Sequence, residues 1–350
     1  MIAVFSVRKL IKKIIITIIV FSICFTTFKT ILYAAGKSNI ENNKIIEFGL
    51  PKLDNEKINF ELGILKQELV KIEEIEYEEI EEIIPKDEII HQEKIKIINK
   101  NVATEVIKNN IKENPNTNIK GVKIKNETKF ELNENIIDNS IKFQNKNVLI
   151  FHTHTCESYT PTEKMNYVAT GNFRTTDLNY SVSRVGDELE KYLNEYGFNV
   201  IHNKEKHDYP AYSGSYNRSL KTVSNIIKNN NDFSLVFDLH RDAIGSNSGY
   251  APKVKIGDEY CAQLMFVIGS NQGGLNHPDW IKNLSYAIKI QEKANEMFPG
   301  LFKTMIVRNS RYNQHLNNGA SIIEVGATGN TLEECLNSMK YLSCVLNELY

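Results

Sequence analysis

Apolar and polar positions fall along this chain in three textures. Residues 14–28 form a nearly unbroken run of Ile, Phe, Val and Thr, and Ile31–Ala35 extends it to about the length a bilayer requires. From Lys37 to about Asn145, Ile, Lys, Asn and Glu dominate without a sustained period, and Gly, Pro and aromatic residues are sparse. That texture predicts a spacer. Its stretch 64–84 is helix-prone, with Ile72, Ile75, Ile80, Ile83 and Ile84 sharing part of one face, until Pro85 and then Pro115 break it. From Asn147 onward, apolar runs of strand length alternate with segments of helical period, which predicts an α/β domain with a mixed, mostly parallel sheet flanked by helices.

Within that domain the first strand reads as Val148–His152. Val182, Val185, Leu189, Tyr192, Leu193 and Tyr196 then mark one face of a helix that Gly197 stops. Strands over Phe198–Ile201 and Ser234–His240 flank a helix over Tyr216–Lys228. Lys253–Ile256 and Gln263–Ile268 read as a strand pair across Gly257-Asp258, followed by a helix over Asp279–Met297. The strand Ser321–Val325 and a terminal helix over Leu332–Tyr350 complete the pattern. The predicted organisation is therefore a tip and membrane anchor over 1–36, a partly helical spacer over 37–146, and a catalytic domain over 147–350. A domain of roughly two hundred residues buries enough surface to fold without the stalk.

Charge refines this layout. The whole chain is balanced, with 42 basic and 43 acidic residues, so nothing in its net charge calls for nucleic acid. Locally, Arg8, Lys9, Lys12 and Lys13 precede the apolar run, whereas Glu73, Glu74, Glu76, Glu78 and Glu79 crowd the spacer. By the positive-inside rule the amino terminus lies in the cytoplasm and everything after Gly36 outside it, which predicts a single-pass protein of the cell membrane. Small residues at Ala34 and Ala35 raise the alternative of a cleaved signal peptide, which Tyr33 disfavours. The five cysteines are odd in number and set no disulfide framework.

The chemistry sits at strand ends. The run Val148–Phe151 leads into HTHTCESY, Ser234–His240 is an apolar strand ending in a histidine, and Ser321–Glu324 is one ending in a glutamate. Open α/β sheets place ligands at such carboxyl ends. Two histidines and a carboxylate suit zinc with one position left open, and a further carboxylate suits a general base. Cys156, between His154 and Glu157, is a weaker candidate ligand.

HTHTCESY with its preceding VLIF, the VGDELEKYL helix, FDLHRDA and IIEVGATGN together resemble the stage II sporulation protein P family of membrane-anchored peptidoglycan hydrolases. The resemblance covers about Asn147–Tyr350 together with the anchor-and-spacer layout. At greater distance, ASIIEVGATGNTLEE is similar to the strand, glutamate and following asparagine of N-acetylmuramoyl-L-alanine amidases. This likeness implies a zinc amidase fold in which His240 is a metal ligand and Glu324 the catalytic base. The first ligand is His154 or His152, whichever is not the ligand supporting it. The acidic ligand is Asp177, which stands where amidases place a glutamate before the first long helix, or Glu157, whose spacing from His154 is that of zinc carboxypeptidases. Arg241 and Asp242 hold a substrate carboxylate or each other. Arg184, Arg308, Arg311 and His315 are candidates to meet acidic stem peptides. The implied activity is zinc-dependent cleavage of the bond between N-acetylmuramic acid and L-alanine, and of stem-peptide cross-links, during engulfment of the forespore. The implied partners are peptidoglycan, the membrane and the stage II sporulation proteins D and M. Two other readings stand beside it: a zinc carboxypeptidase-like peptide hydrolase, and a non-catalytic, membrane-tethered wall-binding scaffold. His91, His202, His207 and His277 read as ordinary histidines.

Overall fold

The computed structural model describes residues 102–109, 111–230, 232–243 and 249–350. The expected anchor and the helix-prone stretch 64–84 lie outside those residues, and no helix among the described residues is long and apolar enough to cross a membrane. In chain order the strands are β1 (Thr104–Ile107), β2 (Thr117–Ile119), β3 (Val122–Asn126), β4 (Asn147–Phe151), β5 (Asn199–His202), β6 (Leu235–Asp242), β7 (Lys253–Ile256), β8 (Glu259–Ala262), β9 (Leu264–Gly269), β10 (Met305–Arg308) and β11 (Ala320–Ala327). The helices are α1 (Val182–Glu195), α2 (Ser215–Asn229), α3 (Trp280–Met297) and α4 (Leu332–Asn347).

Eight strands form one sheet in the order β2-β3-β10-β9-β11-β6-β4-β5. It is mixed and mostly parallel: only the β2–β3 and β9–β11 pairs run antiparallel. β6, β9 and β11 are almost wholly buried, which explains why their sequences are continuous apolar runs rather than alternations. One face packs on α1, α3 and α4, where Val185, Leu189 and Leu193 of α1 meet Val148, Phe237 and Leu239. Burying each such side chain contributes about 1.5–3 kcal/mol. The other face is covered by α2 only over β4 and β6, through Val223 on Leu149, Phe151 and Val236. Beyond that cover it carries just a small cluster of Met265, Val267 and Ile322.

Two expectations are corrected here. The stretch expected to be spacer up to residue 146 supplies β1, β2 and β3, with Ile119, Val122 and Ile124 fully buried, so the described residues from Val102 onward belong to one compact unit with the rest of the domain. Pairing with β10 fixes this segment to the sheet, and its inward Val122 and Ile124 alternate with outward Lys123 and Lys125. Likewise, β7 does not pair with the strand at 263–268. It pairs with β8 and β1 in a separate three-stranded sheet, while β9 enters the large sheet between β10 and β11.

Candidate active site

β4, β6 and β11 run parallel, and their carboxyl ends deliver the predicted groups side by side. Glu324 stands in register with His240, so both side chains leave the same face of the sheet. The chain leaving β4 turns at once, because the Glu157 amide donates to the His154 carbonyl at 3.1 Å. That turn brings Glu157 back against β6: its Oε2 accepts from the Arg241 amide at 3.2 Å and lies 3.5 Å from His240 Nδ1. The His154 and His240 rings meet edge to face, with centroids 5.2 Å apart. His154, Glu157 and His240 are all buried, and Glu324 is half-buried.

Asp238, two residues before His240 on the same strand face, also belongs to this group, and its place inside an apolar run gave no sign of it in the sequence. Its carboxylate accepts from the Thr153 amide and hydroxyl, each at 2.7 Å, and its Oδ1 lies 2.9 Å from His240 Nε2. His240 thus sits between two acids. Burial disfavours its charge, yet Asp238 and then Glu157 outweigh burial and raise its pKa well above the ordinary imidazole range. For Glu157, burial is outweighed by the hydrogen bond from His240 and the charge of Arg241, and its pKa falls to about 2. Loss of water dominates at Glu324 and lifts its pKa to about 8. Burial lowers the pKa of His154. Tyr212 stacks on the His154 ring at 4.4 Å between centroids, its hydroxyl 3.1 Å from Nε2.

Two buried atoms in this group, His154 Nδ1 and Glu324 Oε2, have no hydrogen-bond partner, and with His240 Nε2 taken up by Asp238 the other ring nitrogen, Nδ1, faces Glu157. Buried polar atoms are almost always paired, so an orphaned imidazole nitrogen near an ionised carboxylate suits a cation site. Imidazole and carboxylate are also the donors zinc takes at hydrolytic sites. The group is adjacent without being closed. Among the described residues, the only three His, Cys, Asp or Glu side chains whose donor atoms all lie within 4.8 Å of one another are Asp187, Glu190 and His202.

The remaining candidates fall elsewhere. His152 has both nitrogens engaged, Nδ1 at 3.0 Å from the Leu239 carbonyl and Nε2 at 2.8 Å from His202 Nε2, which leaves His154 facing His240. Asp177 is exposed and caps a single 3-10 turn, its Oδ1 accepting from the amide and the side chain of Asn179. Arg241 and Asp242 do not hold each other. Arg241 donates to the carbonyls of Ser158 and Phe173, tying down the segment that carries Glu157, and Asp242 pairs with Lys303 at 2.7 Å. Cys156 is buried, and loss of water pushes its thiol up to about 12, away from the thiolate a metal needs. Arg184 pairs with Glu188, and Arg311 donates to the Asn276 carbonyl. Arg308, 3.6 Å from Glu127, lines a cavity of about 390 Å³ on the uncovered face, with Lys112, Lys125, Lys303, Met265 and Asp242. Met265 is the in-register neighbour of Glu324, so the cavity opens beside that carboxylate.

Residues 54–347 match the family described as Stage II sporulation protein P (SpoIIP). The chain belongs to that family. The stage II sporulation protein P of Bacillus subtilis (strain 168) is 27% identical over 216 residues, which cover 59% of this chain and 51% of that protein, so the chain spans about half the length of this curated relative. Among solved structures, the CwlD amidase of Clostridioides difficile, in complex with the GerS lipoprotein, is 18% identical with a TM-score of 0.34, covering 57% of this chain and 92% of that one. The catalytic domain of CwlV, an N-acetylmuramoyl-L-alanine amidase from Bacillus (Paenibacillus) polymyxa var. colistinus, is 13% identical with a TM-score of 0.34, covering 59% and 95%. The family match begins well before Asn147, in keeping with the strands found ahead of that residue.

Proposed function

We propose that this member of the stage II sporulation protein P family is a zinc-dependent peptidoglycan hydrolase that cuts the amide between N-acetylmuramic acid and L-alanine. The observation that carries the reading is the juxtaposition of His154, Glu157 and His240 with the raised-pKa carboxyl of Glu324 at adjoining strand ends. His154, Glu157 and His240 would hold the metal, with Asp238 orienting the His240 ring as carboxylates behind metal-binding imidazoles do. Zinc, when bound, supplies Lewis acidity that polarises a carbonyl and acidifies water. Glu324 takes a proton from water and returns it to the leaving amine, roles that suit a carboxyl whose pKa lies near neutrality. Tyr212, half over the His154 ring, borders the entry to these groups. The cavity beside Glu324, with four cationic side chains against Glu113 and Asp242, would seat an acidic stem peptide.

One observation favours a second bond. Glu157 rather than Asp177 approaches His240, and the basic cavity is placed to take a peptide carboxylate, which is the arrangement a peptide hydrolase uses. We therefore include cleavage within stem-peptide cross-links in the proposed activity. Membership of the family and the apolar run at 14–28 support an extension of the proposal, in which the chain is anchored in the cell membrane, acts on its outer side and works beside stage II sporulation proteins D and M. Mass spectrometry of purified peptidoglycan digested with the full-length chain tests the reading. Free stem peptides with intact glycan chains are expected from amide cleavage, and shortened stems from peptide cleavage. Undigested wall in the presence of saturating zinc would overturn it.

A further inference from the structure

Among the described residues, the one closed set of metal-type donors lies away from these strand ends, where α1 packs on the edge strand β5. Asp187 and Glu190 are one turn apart on α1, and His202 ends β5 with its side chain almost completely enclosed. His202 Nδ1 stands 3.2 Å from Asp187 Oδ1 and 3.4 Å from Glu190 Oε2, yet has no aligned hydrogen-bond partner. Two donors held by a tetrahedral zinc at its usual bond lengths are about 3.4 Å apart. The observed separations are compatible with a cation held between these groups.

The hydrogen-bond network assigns the proton on this histidine. His152 Nδ1 faces the Leu239 carbonyl at 3.0 Å and must donate to it, so His152 Nε2 is an acceptor. His202 Nε2, at 2.8 Å, must therefore be the donor in the contact between the two rings. Nδ1 is left pointing at two carboxylates with either a lone pair, which only a cation between them satisfies, or a second proton. Gly186 makes the arrangement attainable, since a Cβ there would lie 2.5 Å from His202 Nε2 and 3.0 Å from His152 Nε2. Lys204, half-exposed and 2.9 Å from Asp187 Oδ1, is the one competing cation, and nothing buried stops it from swinging into solvent.

We propose that Asp187, Glu190 and His202 form a second site for a divalent transition cation such as zinc, structural in kind, clamping α1 to β5 and through His152 the loop that carries His154. It does not depend on the function proposed above. The test is zinc stoichiometry, by elemental analysis and by titration with cobalt read from its absorption, on the full-length chain produced without a polyhistidine tag. The chain is expected to bind two equivalents. Asp187→Asn with Glu190→Gln, which keeps the side-chain shapes, should bind one, and His154→Ala should keep the cobalt spectrum of the second site. Lys204→Met, which touches only a surface side chain, should tighten the second equivalent at least threefold. A single equivalent that survives Asp187→Asn/Glu190→Gln and disappears in His154→Ala would overturn this site and leave the hydrolase reading intact. A single equivalent with the opposite behaviour would support this site and overturn the first. Absence of a second equivalent in both the parent chain and Lys204→Met would overturn the proposal.

Discussion

At the scale of single residues, Glu324 makes two predictions. A carboxyl lifted to about 8 by loss of water is mostly neutral at pH 7 in the metal-free chain, and only its ionised form accepts a proton. Glu324→Gln should therefore lower turnover by about a hundredfold or more while zinc content stays the same, the scale of losing a general base. Equal loss of zinc and turnover would make it a ligand instead. The same shift bears on stability. Because the folded state holds this proton more tightly than the unfolded state, the resulting stability is complete below about pH 4.5 and is lost as pH rises through 8. Denaturant unfolding of the metal-free chain should show weaker stability at pH 8 than at pH 5, and Glu324→Gln should reduce the difference. For the acidic ligand, Glu157→Ala should lose zinc. Asp177→Ala should keep it and cost at most about 0.5–2 kcal/mol, the worth of a helix cap; measured zinc content in the two variants decides. His154, His240 and Glu324 were legible because apolar strands end on them. Asp238 was hidden inside such a run, and Glu190 and His202 are neighbours only after α1 folds onto β5.

At the scale of elements, α1 is the hinge of the arrangement. Its apolar face of Val185, Leu189 and Leu193 was readable from helical spacing, as was its stop at Gly197, whose φ of 78° is left-handed. What spacing could not show is the seam at Gly186, where helix and imidazoles meet too closely for a methyl group. Gly186→Ala should cost about 1–3 kcal/mol by overpacking, despite the better helix propensity of alanine. A chain as stable as the parent in urea would mean that the two histidines yield. The short strands β1, β2 and β10 were not legible, since three or four residues carry too little periodicity. β3 did alternate, but inside a composition dominated by Lys and Asn.

At the scale of the whole molecule, the boundary of the folding unit moves. A chain starting at Asn147 lacks β2 and β3, which leaves β10 an open edge, and lacks β1, the partner of β7. An exposed edge of apolar strands templates aggregation. Residues 147–350 alone should be insoluble or lack a cooperative unfolding transition, whereas 97–350 should be soluble and unfold in one step; a cooperative fold from 147–350 would show that β1–β3 are accessory.

The entry through β1 also has a mechanical meaning. Any pull transmitted along the chain from residues ahead of Val102 reaches the fold first at Thr104–Ile107, which is held to β7 by four registered pairs and lies in the small sheet, not the large one. Loss of that one short ladder would leave the pairing of β6 with β11 intact, and with it the register of His240 and Glu324.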